Sequence, residues 1–211
     1  MDVALLSRGD SVIIVGTGGF AFELGALLRR AGVAVRGCVG PNVPSAHTGL
    51  TYLGSDSVLQ TMLDVPRIVA VGSPVVRRAL FDRVEEAGGF LATYVDPAAY
   101  VAESVRIAHG SIVYPHATVH AGVTLSRGVL VNSNATIGHE SQVGEFATIG
   151  PGASLGGRVR LERGVYVGIG ASTIEGVTIA ASSVLGAGAV VVRDCTECGT
   201  YVGVPARKTD I

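Results

Sequence analysis

The sequence contains few of the residues that mark disulfide-bonded or metal-rich proteins. Its 211 residues include three cysteines and no tryptophan, and aromatic residues make up 5% of the chain. Three cysteines are too few for a disulfide framework. Cys195 and Cys198 have the spacing of a metal or redox pair, but no second ligand pair accompanies them. The sequence therefore favours a turn that holds two ordinary thiols.

The sequence also lacks a large net charge, a cluster of basic residues and a long apolar run. The formal net charge is −1 and no block of basic residues occurs, which argues against nucleic acid or an anionic membrane as the main partner. Hydrophobic residues make up 48% of the chain, yet no uninterrupted apolar run approaches the ~18–20 residues of a membrane span. The stretch from Met1 to Gly16 lacks the basic region and cleavage site of a signal peptide. We therefore expect a cytoplasmic protein without membrane insertion.

What the sequence does contain is a period of six. Every sixth residue from Val101 to Val191 is aliphatic except Thr173, and the residue two places before each is Ala, Ser or Val. This period fits neither an α-helix, at 3.6, nor a pleated strand, at 2. It predicts a parallel β-helix in which three short strands form one triangular coil of 18 residues. The sixteen hexapeptides would make about five coils.

The residues before the repeat predict a small α/β domain. Its predicted strands are 12–15, 33–39, 67–72 and 90–95, and its predicted helices are 20–32, 55–63 (capped by Ser55) and 74–88. Alternating strands and helices imply a parallel sheet with helices on its faces. We expect a Rossmann-like domain over residues 1–96. The β-helix domain would follow over residues 97–211, with a C-terminal tail that leaves the prism.

His139 is the first candidate for chemistry. It lies two places after the inward-facing Ile137, hence at a corner of the coil, where its side chain can project outward. The same corner holds Ala121 one coil earlier and Gly157 one coil later, so the space around the imidazole is open. Glu140 can fix the tautomer of the imidazole and raise its basicity, and the Gly157 N–H is a candidate oxyanion donor. The alternative is that His139 is a solvated turn residue.

The loop GTGGFA, residues 16–21, is a candidate binding site for a phosphate group. It fits the dinucleotide fingerprint G-x-G-x-x-G/A between a strand and a helix, but the acid expected about 20 residues further on is replaced by Arg36-Gly37. The amides of Gly18 and Gly19 at a helix N-terminus instead suit a phosphate of a nucleotide sugar. Gly72 ends another strand and belongs to the same sheet edge. A tight turn without a ligand is the alternative.

The remaining histidines and the helical arginines receive simpler interpretations. His116 and His120 are four residues apart, a spacing that brings side chains together on helices and not on a β-helix, so we predict no metal site. The arginines of the predicted helices are expected on solvated faces: Arg29, Arg30, Arg77 and Arg78.

Beyond these features, the segment ATIGHESQVGEFATIGPGASLGG, between GTGGFA and YVGVPAR, resembles the NeuD/PglD-type sugar acetyltransferases. The resemblance covers essentially the whole chain. It implies a left-handed β-helix and a metal-free bacterial enzyme of surface-glycan biosynthesis. Such an enzyme transfers the acetyl group of acetyl-CoA to the amine of a nucleotide-linked 4-amino-4,6-dideoxy sugar. The resemblance also assigns roles to three residues: His139 is the general base, Glu140 is the supporting acid and the Gly157 N–H is the oxyanion donor.

The resemblance also implies a homotrimer that binds acetyl-CoA in a groove between two prisms. The matching positions are Ile169 and Ala187, with Pro205 and Ala206 of the tail nearby. Thr148 stands where some relatives carry a second histidine that touches the thioester end of acetyl-CoA, and its hydroxyl can still donate one hydrogen bond.

The nucleotide sugar is expected at the N-terminal domain. The resemblance implies contacts at Gly19-Phe20, where relatives often have Gly-His, and at Gly40, where they commonly have an acidic pair. The helix N-terminus adds the amide of Gly18. Gly72 is expected to join this pocket.

Three alternative functions stay open at this point. A sialic acid O-acetyltransferase would use the same His139–Glu140 pair on a hydroxyl group. A catalytically silent β-helix would only bind a nucleotide or a protein partner. A zinc hydrase of the same architecture would place its metal at a trimer interface.

Overall fold

A computed structural model describes residues 5–209 of the chain. These residues form two compact units, which divide between Tyr94 and Val95. The first unit is an α/β domain and the second is a column of two-residue strands.

The first unit contains a four-stranded parallel sheet. Its elements are β1 (Ser11–Val15), α1 (Gly19–Arg30), β2 (Ala34–Val39), β3 (Tyr52–Gly54), β4 (Arg67–Val69) and α2 (Pro74–Glu86). The strand order is β3-β2-β1-β4 and every pairing is parallel. The order reverses between β1 and β4, and in such sheets ligands bind outside the carboxyl ends of the strands at this reversal. The predicted Rossmann-like domain is confirmed.

The central strand β1 is apolar because it is covered on both faces. Residues 12–15 are at most 1% exposed, as expected for an inner strand of a parallel sheet. Helix α1 contributes Ala21, Leu24, Gly25 and Leu28 to the interior. Phe22, in the same helix, is 36% exposed.

The predicted helix over residues 55–63 is a short 3-10 helix, Asp56–Gln60. Ser55 makes no capping hydrogen bond to the backbone; its hydroxyl lies 3.2 Å from the hydroxyl of Ser57. A five-residue segment is too short to repay the cost of nucleating an α-helix.

The edge of the sheet also differs from the prediction. The edge strand is β3, within a region where no strand was predicted, and a second 3-10 turn, Ala46–Thr48, precedes it. The predicted strand 90–95 forms only isolated bridges at Leu91 and Thr93, followed by β5 (Tyr94–Val95). Strand β3 was missed because it lacks an uninterrupted apolar run like residues 68–71, which marked the equally short β4.

The second unit has the predicted parallel β-helix architecture. Sixteen two-residue strands, β6 to β21, follow one another every six residues.

These strands form the three faces of a prism. The first face consists of β6 (Tyr100–Val101), β9 (Thr118–Val119), β12 (Thr136–Ile137), β15 (Ser154–Leu155), β18 (Ser172–Thr173) and β21 (Val190–Val191). The second face consists of β7 (Arg106–Ile107), β10 (Thr124–Leu125), β13 (Gln142–Val143), β16 (Arg160–Leu161) and β19 (Thr178–Ile179). The third face consists of β5, β8 (Ile112–Val113), β11 (Leu130–Val131), β14 (Thr148–Ile149), β17 (Tyr166–Val167) and β20 (Val184–Leu185), continued by two C-terminal strands.

Each of the strands β6 to β18 pairs in parallel with the strand 18 residues further along, so equivalent residues of successive coils are stacked. The second residue of each strand faces a continuous apolar core. In β16, for example, Leu161 is 2% exposed, whereas the side chain of Arg160 is 60% exposed.

Three corners join the faces. The first corner, between the first and second faces, comprises residues 103–104, 121–122, 139–140, 157–158 and 175–176. The second corner comprises residues 109–110, 127–128, 145–146, 163–164 and 181–182. The third corner, between the third and first faces, comprises residues 115–116, 133–134, 151–152, 169–170 and 187–188.

The C-terminal tail does not leave the prism, contrary to the prediction. Strand β22 (Thr200–Val202) pairs with β20, and β23 (Arg207–Thr209) returns antiparallel to β22. Tyr201 and Ala206, each 8% exposed, join the apolar core. The end of a solenoid exposes its core unless it is capped, and this hairpin supplies the cap.

Within residues 5–209, none of the helices has the length and apolarity needed to cross a membrane.

Replacing Leu161 by Ala tests the alternation of inward and outward residues. We expect Leu161→Ala to lower the free energy of unfolding by about 2–5 kcal/mol, because it leaves a cavity in the core. Arg160→Ala, in the same strand, removes an exposed side chain whose 3.5 Å pair with Glu162 contributes less than about 1 kcal/mol. Urea unfolding followed by circular dichroism measures both, and equal losses would contradict the assigned alternation.

Candidate active site

His139 lies at the first corner, in the turn between β12 and β13. Its side chain is 54% exposed and projects from the prism. The turn itself is fixed by the ladder of coils, since the Glu140 N–H donates to the Ala121 carbonyl at 2.9 Å and the Arg158 N–H donates to the His139 carbonyl at 2.7 Å. A rigid backbone therefore carries an accessible imidazole.

Glu140 orients the imidazole. Its carboxylate oxygen Oε2 lies 3.0 Å from His139 Nδ1. Glu140 has a φ of 59°, and Gly122 beneath it leaves room, because a Cβ there would come within 3.3 Å of Glu140 Cγ. With Nδ1–H donated to the carboxylate, Nε2 carries the lone pair and can accept a proton.

Gly157 provides the space that the imidazole occupies. A Cβ at this position would lie 2.5 Å from His139 Nε2 and 2.8 Å from Cε1. The ring therefore leans over Gly157, one coil further along the same corner. The Gly157 carbonyl accepts from Gly176 at 2.9 Å, whereas its N–H has no acceptor within residues 5–209. The structure thus brings together His139, Glu140 and an available backbone donor.

The predicted acetyl-CoA residues lie elsewhere on the prism. Ile169, 61% exposed, and Ala187 are stacked at the third corner. Pro205 is exposed in the C-terminal hairpin, and Ala206 is buried beneath it, with its N–H bonded to the Val190 carbonyl at 2.7 Å. Thr148 lies in β14 on the third face and is 3% exposed. Within one chain, none of these five residues reaches the His139 corner.

The first unit contains a cavity of about 380 Å³ at the carboxyl edge of its sheet. Its lining comes from the ends of β1, β2 and β4 and from α2: Val15, Gly16, Thr17, Val39, Gly40, Pro41, Val71, Val76, Leu80 and Arg83. Most of these residues are apolar. The cavity therefore occupies the crevice expected for a small ligand in a sheet of this order.

The predicted substrate residues surround this edge in different ways. Gly40 lines the cavity, and its carbonyl accepts from the Tyr52 hydroxyl at 2.9 Å. Gly18 caps α1, and neither Gly18 nor Gly19 has an atom within 4 Å of the place of a Cβ, so the amide end of the helix is open. Phe20 lies in the first turn of α1, and Gly72 follows β4.

Gly16, the first glycine of the GTGGFA loop, is required by the packing of the first unit. Its φ is 133°, and a Cβ would lie 2.7 Å from the Ala70 carbonyl oxygen. Only glycine allows this approach between the β1 turn and the chain after β4. The first glycine of the motif is thus required by packing, whereas Gly18 and Gly19 are not.

Arg77 is buried, and the prediction that it lies on a solvated helix face is wrong. It is 1% exposed, and its Nη1 donates to the carbonyls of Val71 and Gly72, each at 2.9 Å. Burial lowers the pKa of this guanidinium to about 10. Arg77 therefore anchors the loop that lines the cavity. A sequence signal was present, because Arg77 shares the helical spacing i, i+4, i+7 with the buried Phe81 and Val84, whereas Arg78 does not.

Within the described part of the chain, no group of three or more His, Cys, Asp and Glu residues is placed to hold a metal ion. Cys195 is buried, Cys198 is exposed, and both are free thiols. His120 contacts Tyr100 edge to face, with ring centroids 6.5 Å apart.

Residues 11–84 match the family model of the PglD N-terminal domain. The whole fold is similar to PerB from Caulobacter crescentus in complex with CoA and GDP-perosamine, with 31% identity and a TM-score of 0.88 over 96% of this chain and 98% of that one. It is also similar to the acetyltransferase domain of PglB from Neisseria gonorrhoeae FA1090 in complex with acetyl coenzyme A. That match has 30% identity and a TM-score of 0.87 over 95% and 100% of the two chains.

The fold is shared more widely than the sequence. WeeI from Acinetobacter baumannii AYE matches with a TM-score of 0.85 over 94% of this chain and 99% of that one, at 21% identity. These similarities extend over both units and confirm the predicted fold class.

Replacing Arg77 by Met tests whether the buried guanidinium holds the cavity loop. Arg77→Met leaves the Val71 and Gly72 carbonyls without these donors. The amides of residues 70 and 77, on either side of the loop, donate to the Val15 and Ser73 carbonyls at 2.8 Å, and we expect their protection against hydrogen exchange to fall by about 1–3 kcal/mol. Arg78→Met removes a half-exposed neighbour, paired with Asp82 at 3.9 Å, and should leave exchange unchanged. Equal exchange rates in the two variants would show that Arg77 does not anchor the loop.

Proposed function

The chain belongs to the NeuD/PglD-type sugar acetyltransferases, and on that premise we propose that it acetylates the amine of a nucleotide-linked amino sugar, with His139 as general base. The protein is an acetyltransferase and acetyl-CoA is its co-substrate, since relatives that are 30% identical over 95–97% of this chain are a perosamine N-acetyltransferase in complex with CoA and an acetyltransferase domain in complex with acetyl coenzyme A. The observation that carries the proposal is the exposed His139 imidazole, bonded to Glu140 and placed over Gly157.

An amine acceptor is supported by the same relatives. A perosamine N-acetyltransferase, 30% identical over 97% of this chain, is solved with CoA and GDP-perosamine. An N-acetyltransferase forms an amide, so its acceptor atom is a nitrogen. We propose a 4-amino-4,6-dideoxy sugar as acceptor and surface-glycan biosynthesis as the use of the product.

In the proposed mechanism, His139 Nε2 removes a proton as the amine attacks the thioester carbonyl. Glu140 stabilises the resulting imidazolium through its 3.0 Å contact with Nδ1. The new N–C bond forms and the C–S bond breaks. His139 then returns its proton to the departing thiolate. General-base assistance of this kind contributes about 10²–10⁴ in rate.

Gly157 supplies the electrostatic part of the mechanism. Its N–H has no protein acceptor within residues 5–209 and is available for the oxyanion of the tetrahedral intermediate. Loss of one such donor costs about 10²–10³ in rate. The Ser141 hydroxyl, which directly follows the His139–Glu140 pair, is buried and donates to the Gly156 carbonyl. We therefore propose direct transfer without an acyl-serine.

The surface proposed for acetyl-CoA is the third corner. Ile169 is 61% exposed, and Ala187 and Pro205 are also exposed, so they fit the apolar part of the pantetheine arm. Thr148 and Ala206 are buried in the single chain. Acetyl-CoA would contact these two residues at the edge of this surface.

The two corners point to a site built from two copies. The first and third corners lie at opposite edges of the first face, separated by one hexapeptide, or roughly 15–20 Å of chain at about 3.3 Å per residue. We propose a homotrimer in which the first corner of one copy meets the third corner of the next, because cyclic symmetry repeats such a contact and closes it.

The nucleotide part of the acceptor is proposed at the first unit. The 380 Å³ cavity, lined by Gly40 and by Val71, the neighbour of Gly72, offers an apolar crevice, and the open amides of Gly18 and Gly19 suit a phosphate at a helix N-terminus. Phe20 would contribute its ring at the start of the same helix.

An acceptor panel tests the reaction. Free thiol release from acetyl-CoA is measured with UDP-, dTDP- and GDP-linked 4-amino-4,6-dideoxy sugars and with sialic acid. We expect turnover on one amino sugar and a fall of about 10²–10⁴ in His139→Ala. His109→Ala, which removes an imidazole from the second corner, should stay active.

Other results would replace the proposal. Turnover with sialic acid alone would make the protein an O-acetyltransferase. Thiol release with none of the acceptors, together with no binding of acetyl-CoA, would leave a non-catalytic β-helix. Stoichiometric zinc in the purified protein would favour the hydrase.

Coexpression of two inactive variants tests whether the site lies between copies. His139→Ala disables the first corner, and Ile169→Arg disables the third corner. In mixed oligomers, about a quarter of the sites pair an intact first corner with an intact third corner, so about a quarter of the wild-type activity should return. A coexpressed mixture that stays as inactive as the separate variants would place the whole site within one chain.

A further inference from the structure

Thr173 interrupts the repeat at one position next to the site. It is the single non-aliphatic residue among the sixteen inward positions, and it is 9% exposed. The Gly156 N–H donates both to its carbonyl and to its Oγ1, each at 3.2 Å. The equivalent N–H groups of Gly138 and Ile174 donate to single carbonyls, at 2.9 and 3.0 Å. Thr173 therefore gives Gly156 a hydrogen-bond pattern that these two positions lack.

Ser141 binds Gly156 from the opposite side. Its side chain is fully buried, and its Oγ donates to the Gly156 carbonyl at 3.2 Å and accepts from the Val159 N–H at 3.1 Å. The N–H and the C=O of Gly156 are thus held by hydroxyl groups from the two neighbouring coils.

We propose that Ser141 and Thr173 are positioning residues that hold the Gly156–Gly157 peptide in the orientation needed to bind the oxyanion. This inference rests on the proposed function, in which the Gly157 N–H is the donor. A trans peptide directs its C=O and N–H in opposite directions. Because the Gly156 carbonyl points to the buried Ser141 hydroxyl, the Gly157 N–H points away from it, to the exposed side of the corner.

The peptide needs this support because Gly156 cannot carry a Cβ and because Gly157 cannot carry one while His139 keeps its position. A Cβ on Gly156 would lie 2.5 Å from the Glu175 nitrogen, and a Cβ on Gly157 would lie 2.5 Å from His139 Nε2. Glycine has the largest backbone freedom of any residue, whereas an oxyanion donor is effective when its direction is fixed before the reaction. The Ser141 hydroxyl restrains this peptide directly, at the Gly156 carbonyl. The Thr173 hydroxyl restrains the adjoining Leu155–Gly156 peptide, at the Gly156 N–H, so Gly156 is held on both sides.

Buried serines elsewhere in the repeat provide an internal comparison. Ser111 and Ser183 occupy the same hexapeptide position as Ser141 and donate to the carbonyls of Ser126, at 3.0 Å, and Glu197, at 3.4 Å. A serine bonded to a turn carbonyl is therefore a recurrent feature of this fold. Ser141 differs because its acceptor carbonyl belongs to the peptide that carries the Gly157 N–H, and because Thr173 binds the same residue.

Thr173→Val separates a positioning role from a structural one. The change is isosteric and restores the aliphatic pattern, so the melting temperature should stay the same or rise. We expect kcat to fall about ten-fold, less than the 10²–10³ for loss of the donor itself, with KM for both substrates unchanged. Thr173→Ser keeps the hydroxyl group and should retain most of kcat.

Ser141→Ala and Ser111→Ala form the matched pair. Both variants lose a buried hydroxyl bonded to a turn carbonyl, and Ser141→Ala also loses the bond from the Val159 N–H. Both should lose thermal stability, but only Ser141→Ala should lose kcat. A wild-type kcat in Thr173→Val, or an equal loss of kcat in Ser111→Ala and Ser141→Ala, would overturn the proposal. If His139→Ala is inactive, either result overturns only the positioning role and leaves the proposed acetyltransferase function standing. If the wild type is inactive toward every acceptor, the proposed function and the positioning role are both overturned.

Discussion

The stacking distance between coils governs the geometry of the catalytic domain. Parallel strands joined by backbone hydrogen bonds lie about 4.8 Å apart, and here each coil is tied to the next by bonds such as Gly138 N–H to the Leu155 carbonyl, at 2.9 Å. Residues 18 positions apart in sequence therefore become neighbours. At this spacing the outward side chains of adjacent coils compete for space at every corner, and the residues permitted there depend on what lies one coil above and below.

The proposed active site follows from this competition. An imidazole can lean along the first corner because the next coil has no side chain at Gly157. The neighbouring Gly138 and Gly156 are equally constrained, since a Cβ on Gly138 would collide with the Gly156 backbone. Glycines, however, restrict the backbone dihedral angles less than other residues do, so the peptides of this glycine-rich corner have more conformational freedom. The buried hydroxyl groups of Ser141 and Thr173 supply at this corner the rigidity that side-chain packing supplies elsewhere in the prism.

The N-terminal unit positions its cavity by different means. Its parallel sheet brings the ends of β1, β2 and β4 to one edge, and the loops at that edge need individual anchors because no repeat fixes them. Arg77 anchors the Val71–Gly72 loop from within the domain, and Tyr52 anchors the Gly40 carbonyl. Arg67 is also buried, and it donates to the carbonyls of Val65, Leu59 and Thr61, which ties the 3-10 segment to β4. In this part of the unit, the side chains of two buried arginines thus supply hydrogen bonds to carbonyls that lie outside the strands and the two α-helices.

Periodic features of the sequence determined the sixteen strands, their inward residues and the corner that carries His139 and Glu140, because every coil repeats the same local signal. The same register separates Thr148 and Ile169 from the His139 corner, so the predicted site residues are divided between corners of the single chain. Only the tertiary structure decided the features that depend on one unrepeated contact. These are the hydrogen bonds of Arg77 to the Val71–Gly72 loop, the edge strand Tyr52–Gly54, the hairpin that returns the tail over the core, and the hydrogen bonds of Ser141 and Thr173 to Gly156. Each requires two segments to meet, and a single sequence records neither their distance nor the direction of their polar groups.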